Sequence, residues 1–161
     1  MSDNHFDYCR NLPMTTSSLK PQFEAALSDK LFELATCFRG QAVRRLDVGV
    51  FPWHGTLELS VLLATDICEE RDIASWPNYA VSRLAEGEWP EAVECCREMR
   101  RQWEANAGRT ISFFELVGEA LWSQKVRASI DSLNRSEDFV VTVLDPDNRN
   151  SPNYAARGAL T

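Results

Sequence analysis

The chain has 161 residues, 44% of them hydrophobic and 25% charged, with a formal net charge of −7 at pH 7. That is apolar material enough for one ordinary domain with a full core, which excludes general disorder. The acid excess argues against nucleic-acid binding, which needs clustered cations to neutralise phosphate, and suits a basic protein partner.

The first 18 residues are polar and weakly patterned. No apolar targeting segment follows Met1, and no stretch approaches the ~20 apolar residues of a membrane span. The expectation is a cytoplasmic protein without membrane contact. A first helix is expected to begin near residues 17–20, with Pro21 in its first turn, where the missing N–H is not needed. Phe23, Leu27, Leu31, Leu34 and Phe38 recur at helical spacing and form one apolar stripe, and Gly40 is a natural stop.

Residues 45–65 then read as a hairpin. Leu46, Val48 and Val50 share one face of a strand over 46–51, with Asp47 and Gly49 opposite. Leu57, Leu59, Val61 and Leu63 share one face of a strand over 57–64, with Glu58 and Ser60 opposite. Strict alternation of this kind predicts a sheet with one face on the core and one partly wet. Leu62 and Ala64 make the far end of the second strand apolar on both faces, so that end is expected to be covered on both sides. Pro52 ends the first strand, and Gly55 supplies the positive φ of the return.

A charged connection, Asp66-Ile67-Cys68-Glu69-Glu70-Arg71-Asp72, leads to two Trp-Pro pairs, Trp76-Pro77 and Trp89-Pro90. Each is read as opening a helix. In the second, Trp89, Ala92, Val93, Cys96, Met99 and Trp103 share a face, and Glu94 with Arg97 and Glu98 with Arg101 make i,i+3 pairs on the wet side. Asn106-Ala107-Gly108 ends it. A third helix is expected over 111–134, its buried side made of Phe113, Phe114, Val117, Leu121, Ile130 and Leu133. Gly118 inside it costs roughly 1 kcal/mol relative to alanine, which a close packing contact there would explain but which does not require one. Residues 138–144 read as a last strand, apolar on both faces and placed beside the hairpin between buried neighbours. The prediction is a single α+β domain over 1–161: a small antiparallel sheet, the hairpin plus the C-terminal strand, on about three helices. Residues 1–16 and 145–161 are expected to be loose.

Recognisable chemistry is sparse. With only His5 and His54 and no cysteine spacing to help, no metal site or cofactor is expected. His54 as a catalytic base would need an orienting carboxylate and a nucleophile; Asp47, Asp66 and Cys68 are the residues to inspect, and an exposed turn histidine is the plainer reading. Five cysteines (Cys9, Cys37, Cys68, Cys95, Cys96) without C-x-x-C spacing read as free thiols in a reducing compartment. Cys95 and Cys96 point ~100° apart on a helix, so they read as buried thiols rather than a redox pair. Asp145-Pro146-Asp147-Asn148-Arg149-Asn150 begins like a calcium loop and fails at Arg149, Asn150 and Ala156. Of five tryptophans, Trp103 and Trp122 are expected in the core. Trp53, Trp76 and Trp89, with Tyr79 and His54, are the candidate partner-binding group: exposed together they would anchor a partner, and otherwise they pack helix starts onto the sheet. The same surface would fit a homodimer.

Trp89 before its helix, the stretch Val143-Leu144-Asp145-Pro146-Asp147 and the order of parts together resemble a bacterial domain-of-unknown-function family of small cytoplasmic α/β proteins. Some members are proposed as immunity proteins of toxin systems. The resemblance implies a fold more than a function; the negative charge, the aromatic candidates and the lack of a recognisable active site point to an immunity-like or regulatory protein that neutralises a basic partner. The alternative is a small-molecule-binding protein or enzyme with a pocket between helices and sheet.

Overall fold

The computed structural model describes residues 16–83 and 87–156, with the side chains of residues 16–18 left aside. His5, Cys9 and most of the N-terminal stretch expected to be loose lie outside the described residues, as do 157–161. The chain is α+β. Helix α1 (Thr16–Cys37) is followed by strands β1 (Val43–Phe51), β2 (Thr56–Leu63) and β3 (Asn78–Arg83), then helices α2 (Val93–Ala105), α3 (Thr110–Leu121) and α4 (Gln124–Asp131), and finally strand β4 (Arg135–Thr142). Short 3₁₀ turns precede β3, α2 and α3. The four strands form one sheet in the order β3-β2-β1-β4.

The hairpin follows the alternation in the sequence. Leu46, Val48, Val50, Leu57, Leu59 and Val61 are fully enclosed and face the helices. Asp47 lies opposite Ser60, and Gly49 opposite Glu58, on the outer face. Gly55 takes φ +61°, and a Cβ there would sit 2.8 Å from the Arg100 Cβ of α2, so the turn requires glycine for conformation and for space. Leu62 is enclosed on the outer side, as expected, but Ala64 is exposed. Leu62, Trp76 and Ala80 are buried outside the main core, because the connection 64–77 folds over that end of the sheet.

Four expectations are corrected. Trp76-Pro77 opens no helix; it leads into β3, which pairs antiparallel with β2. β4 pairs with β1 in parallel, so the sheet is mixed, and β4 is an edge strand rather than an inner one. A parallel pair needs a long crossover, here the passage from β3 through α2, α3 and α4. The helix expected over 111–134 is two helices, since Ser123 (ψ 150°) caps α4 by accepting a hydrogen bond from the Val126 N–H. Pro21 lies inside α1 rather than in its first turn, because packing of Leu19, fully enclosed, draws the preceding residues into the helix. Residues 145–156 form no helix or strand but are pinned: the Asn153 side chain bonds Val141 O and Val143 N, and Tyr154 N donates to Val143 O.

The helices pack on the inner face. The α1 stripe Phe23, Leu27, Leu31 and Leu34 is buried, as are Phe113, Phe114, Val117, Leu121, Ile130 and Leu133 of the C-terminal half. A buried Ser28–Ser129 hydroxyl pair, 3.0 Å apart, joins α1 to α4. On α2 the anticipated ion pairs Arg97–Glu94 and Arg101–Glu98 form at 2.6 Å each. The close contact at Gly118 is with backbone: a Cβ there would stand 2.1 Å from the Tyr154 carbonyl oxygen.

Candidate functional site

The five residues singled out as a partner-binding group are not brought together. Trp89 is fully enclosed; its indole N–H donates to Ala26 O of α1 at 3.3 Å, so it joins the start of α2 to α1 and offers nothing to a partner. Trp76 is 4% exposed, and its N–H reaches Glu69 O, which ties down the connection 64–77. Trp53 and His54 stand at the β1–β2 turn, edge to face at 6.1 Å, with Phe51 edge-on to Trp53. Of the group, His54 and Tyr79 are exposed. His54 also does not meet the groups proposed to make it catalytic. It precedes β2, whereas Asp66 and Cys68 follow it, and an eight-residue strand separates the two ends by about 23 Å. Asp66 is occupied as a turn cap, accepting from Leu63 N at 2.8 Å. Trp103 and Trp122 are half-buried rather than fully in the core.

Four of the five cysteines are described, all as free thiols. Cys95 and Cys96 are enclosed. The bond between them and the burial hold the Cys96 thiol far above the ordinary range, which keeps it protonated and inert.

The connection after β2 is the most acidic exposed feature. It carries Asp66, Glu69, Glu70 and Asp72 against Arg71 within seven residues. Glu70 binds both Arg45 (2.8 Å) and Arg44 (3.4 Å) of β1, which fastens the middle of the connection to the sheet. Glu69 and Asp72 have no ion-pair partner among the described residues. Between Asp66 and Glu69 the Ile67 side chain is fully exposed, the most exposed of the large apolar residues described.

The outer face of the sheet next to that connection holds a second feature that spacing alone did not reveal. Asp47 is 5% exposed in the middle of β1. It accepts a hydrogen bond from the Thr142 hydroxyl of β4 at 2.6 Å and faces Ser60 of β2. Burial raises its pKa to about 7; the Thr142 bond works against that rise, and the Glu58 charge adds to it. Glu58 in turn accepts from the Tyr79 hydroxyl at 3.2 Å, and Arg83 stacks over the Tyr79 ring. Burial first, then Glu58, holds the Tyr79 phenol above its usual value. At this point β3 bulges: two steps along β2, Leu59 to Val61, span four along β3. Ala80 in the bulge takes φ +47°, a left-handed conformation costly for any residue but glycine, and the Ser60 hydroxyl receives its N–H at 2.9 Å. A bulge, a strained residue and a proton-holding carboxyl therefore lie side by side. They can hold or release a proton near neutral pH.

A third feature lies at the opposite edge. A cleft of about 330 Å³ runs between α4 and β4, floored by Leu121, Ile130, Val141 and Ala155. Trp122 and Phe139 line it, each with a guanidinium over its ring: Arg127 at 5.6 Å and Arg135 at 5.7 Å. Among the described residues, no group of three or more His, Cys, Asp or Glu is gathered to hold a metal ion, and no helix is long and apolar enough to cross a membrane. No family model, no curated protein and no solved structure matches the chain.

Proposed function

We propose that the chain is a protein-interaction domain that binds a basic partner through the β2–β3 connection, in the manner of a regulatory or immunity-like bacterial protein. The observation that carries this reading is Ile67: a fully exposed isoleucine at the tip of an acidic connection, framed by Asp66, Glu69 and Asp72. A solitary exposed apolar side chain is common on protein surfaces. This one is held out by a tethered segment, with Asp66 capping Leu63 N before it and Glu70 on Arg44 and Arg45 after it. A presented apolar tip with a charged rim is the anatomy of an interface anchor: the apolar residue fills a pocket, and the rim charges steer the encounter and set specificity. Elsewhere, much of the surface charge is paired within the chain, as in the Arg97–Glu94, Arg101–Glu98 and Arg100–Glu104 pairs of α2. Neutralising a basic toxin is the biological form of this reading that the family resemblance implies.

The test is quantitative capture from native lysate with the wild-type chain, Ile67→Asp, and Glu69→Lys/Asp72→Lys as parallel baits at low and high salt. The expected result is a basic protein retained by the wild type, weakened by salt, and lost from both variants. Equal retention by all three baits, or none by the wild type, would refute the reading.

A further inference from the structure

The cleft between α4 and β4 is built differently from the acidic surface, and its chemistry is independent of the partner-binding role of the β2–β3 connection. Its volume, about 330 Å³, falls within the ~300–1,000 Å³ of small-molecule sites. Its polar floor groups are already occupied. The Trp122 indole N–H donates to Ala155 O, and the Asn153 amide bonds Val141 O and Val143 N. An occupant therefore meets an apolar floor, two aromatic rings and whatever stands at the rim.

At the rim stand Arg127, Arg135 and Asp131. Asp131 binds Arg135 at 3.0 Å and neutralises it. Arg127 holds its guanidinium over the Trp122 ring, 5.6 Å from the centroid, and has no carboxylate partner among the described residues. A guanidinium without a carboxylate partner can take one in two parallel N–H bonds. Among the described residues the rim thus carries one net positive charge, in a chain whose net charge is −7, and it fits a monoanion.

An extended peptide is the competing occupant, because β4 is an edge strand. The C-terminal end of that edge is closed at Val141 and Val143 by Asn153 and Tyr154, which shortens the backbone open to strand addition. We infer that the α4–β4 cleft is a binding site for a small organic monoanion with a flat apolar body, which lies against Trp122 and Phe139 while Arg127 holds its acid group.

The experiment titrates the full chain with 2-naphthoate by calorimetry, and with 2-naphthylmethanol as the uncharged probe of the same body. The proteins are the wild type, Arg127→Gln and the remote control Arg97→Gln. Arg127 and Arg97 are both exposed, so neither substitution threatens the fold. The expected result is that naphthoate binds the wild type and Arg97→Gln alike, and binds Arg127→Gln at least about tenfold more weakly, the cost of a lost charge-assisted pair. The alcohol should bind wild type and Arg127→Gln equally. Undetectable binding of millimolar naphthoate to the wild type would overturn the proposal. So would equal affinity for wild type and Arg127→Gln, or an equal loss in Arg97→Gln. A capped acidic hexapeptide that bound more tightly than naphthoate, and was weakened by Arg127→Gln, would assign the cleft to an extended chain instead. A partner protein failing to bind the acidic connection would leave every one of these outcomes unchanged.

Discussion

Replacing Asp47 by asparagine isolates the buried carboxyl of the outer face. The groups around it are the Thr142 hydroxyl from β4, Ser60 and Glu58 from β2, and Tyr79 from β3, whose own acidity responds to the Asp47 charge. In the fold the carboxyl has a pKa of about 7 against an ordinary 3.8. The raised value means the native state keeps a proton that the unfolded chain gives up. Below the unfolded value both states are protonated and the group costs nothing. As pH rises from there through the folded value, the native state is progressively penalised, and above pH 7 the penalty is complete. A rise of about three units at ~1.4 kcal/mol per unit sets that penalty at ~4 kcal/mol. Asparagine preserves the shape and the acceptor for Thr142 but cannot ionise. The assay is urea unfolding of wild type and Asp47→Asn at several pH values between about 4 and 8; the comparison at each pH cancels the other titrating groups. The stability of the variant relative to the wild type should climb across this window by up to ~4 kcal/mol, a midpoint separation of about 2 M urea at an m-value of ~2 kcal/mol/M. A difference that stays flat with pH, or is largest at the acid end, would refute the assignment of a buried, proton-holding Asp47. Thr142→Val removes the bond that favours the charged form, and should extend the climb to higher pH while its lower end stays at the unfolded value.

Substitutions at three positions test the packing. Gly118→Ala forces a methyl to 2.1 Å from the Tyr154 carbonyl oxygen, backbone that can yield only by moving the pinned C-terminal segment; a loss of about 1–3 kcal/mol in urea unfolding is expected, and a neutral result would place that segment elsewhere. Trp89→Phe keeps most of the enclosed volume but loses the indole bond to Ala26 O, so it should cost about 1–2 kcal/mol, while Trp89→Ala should cost about 3–5 kcal/mol. Ile67→Asp should leave the unfolding midpoint within ~0.5 kcal/mol of the wild type, since nothing in the fold covers that side chain; a large loss would show that Ile67 is packed and not presented.

The parts legible in the sequence are those set by short-range period. The inward rows of β1 and β2 and the stripe of α1 repeat every two or every three to four residues, and each repeat is buried as a row. β3 escaped because its buried positions are the small residues Ala80 and Ser82, while Tyr79 is exposed and Val81 intermediate, so burial alternates along the strand but hydrophobicity does not. The Trp76-Pro77 pair also misled. Proline fits an early helix position, but it fits equally well just ahead of a strand, and only the burial of Trp76 against the outer side of the sheet decides between the two. β4 looked like an inner strand because its inward residues Phe139 and Val141 pack on the core while Val140, on the other face, is apolar but 40% exposed. An apolar residue facing water leaves the same signature as one facing a second layer.

The candidate sites were less legible for a related reason: each is made by contacts between segments distant in sequence. Spacing put Asp47 on the outer face and, by alternation, that face read as wet. Its burial comes instead from neighbours 13 and 95 positions away, Ser60 and Thr142, which pairing of β1 with β2 and β4 brings alongside. The cleft depends on Ser123. A continuous helix over 111–134 would run straight past Trp122. The break lets α4 dock on α1 through Ser28 and Ser129 while Trp122 and Arg127 remain together at the cleft, opposite β4 and the segment pinned by Asn153. One serine hydroxyl bond to Val126 N thereby sets where a cation can stand, which is why Ser123→Ala should weaken 2-naphthoate binding without touching any residue that lines the cleft. Loss of that cap alone costs only ~1 kcal/mol of helix stability, so a folded variant with unchanged naphthoate affinity would show that the break is held by packing around Trp122 and not by the cap.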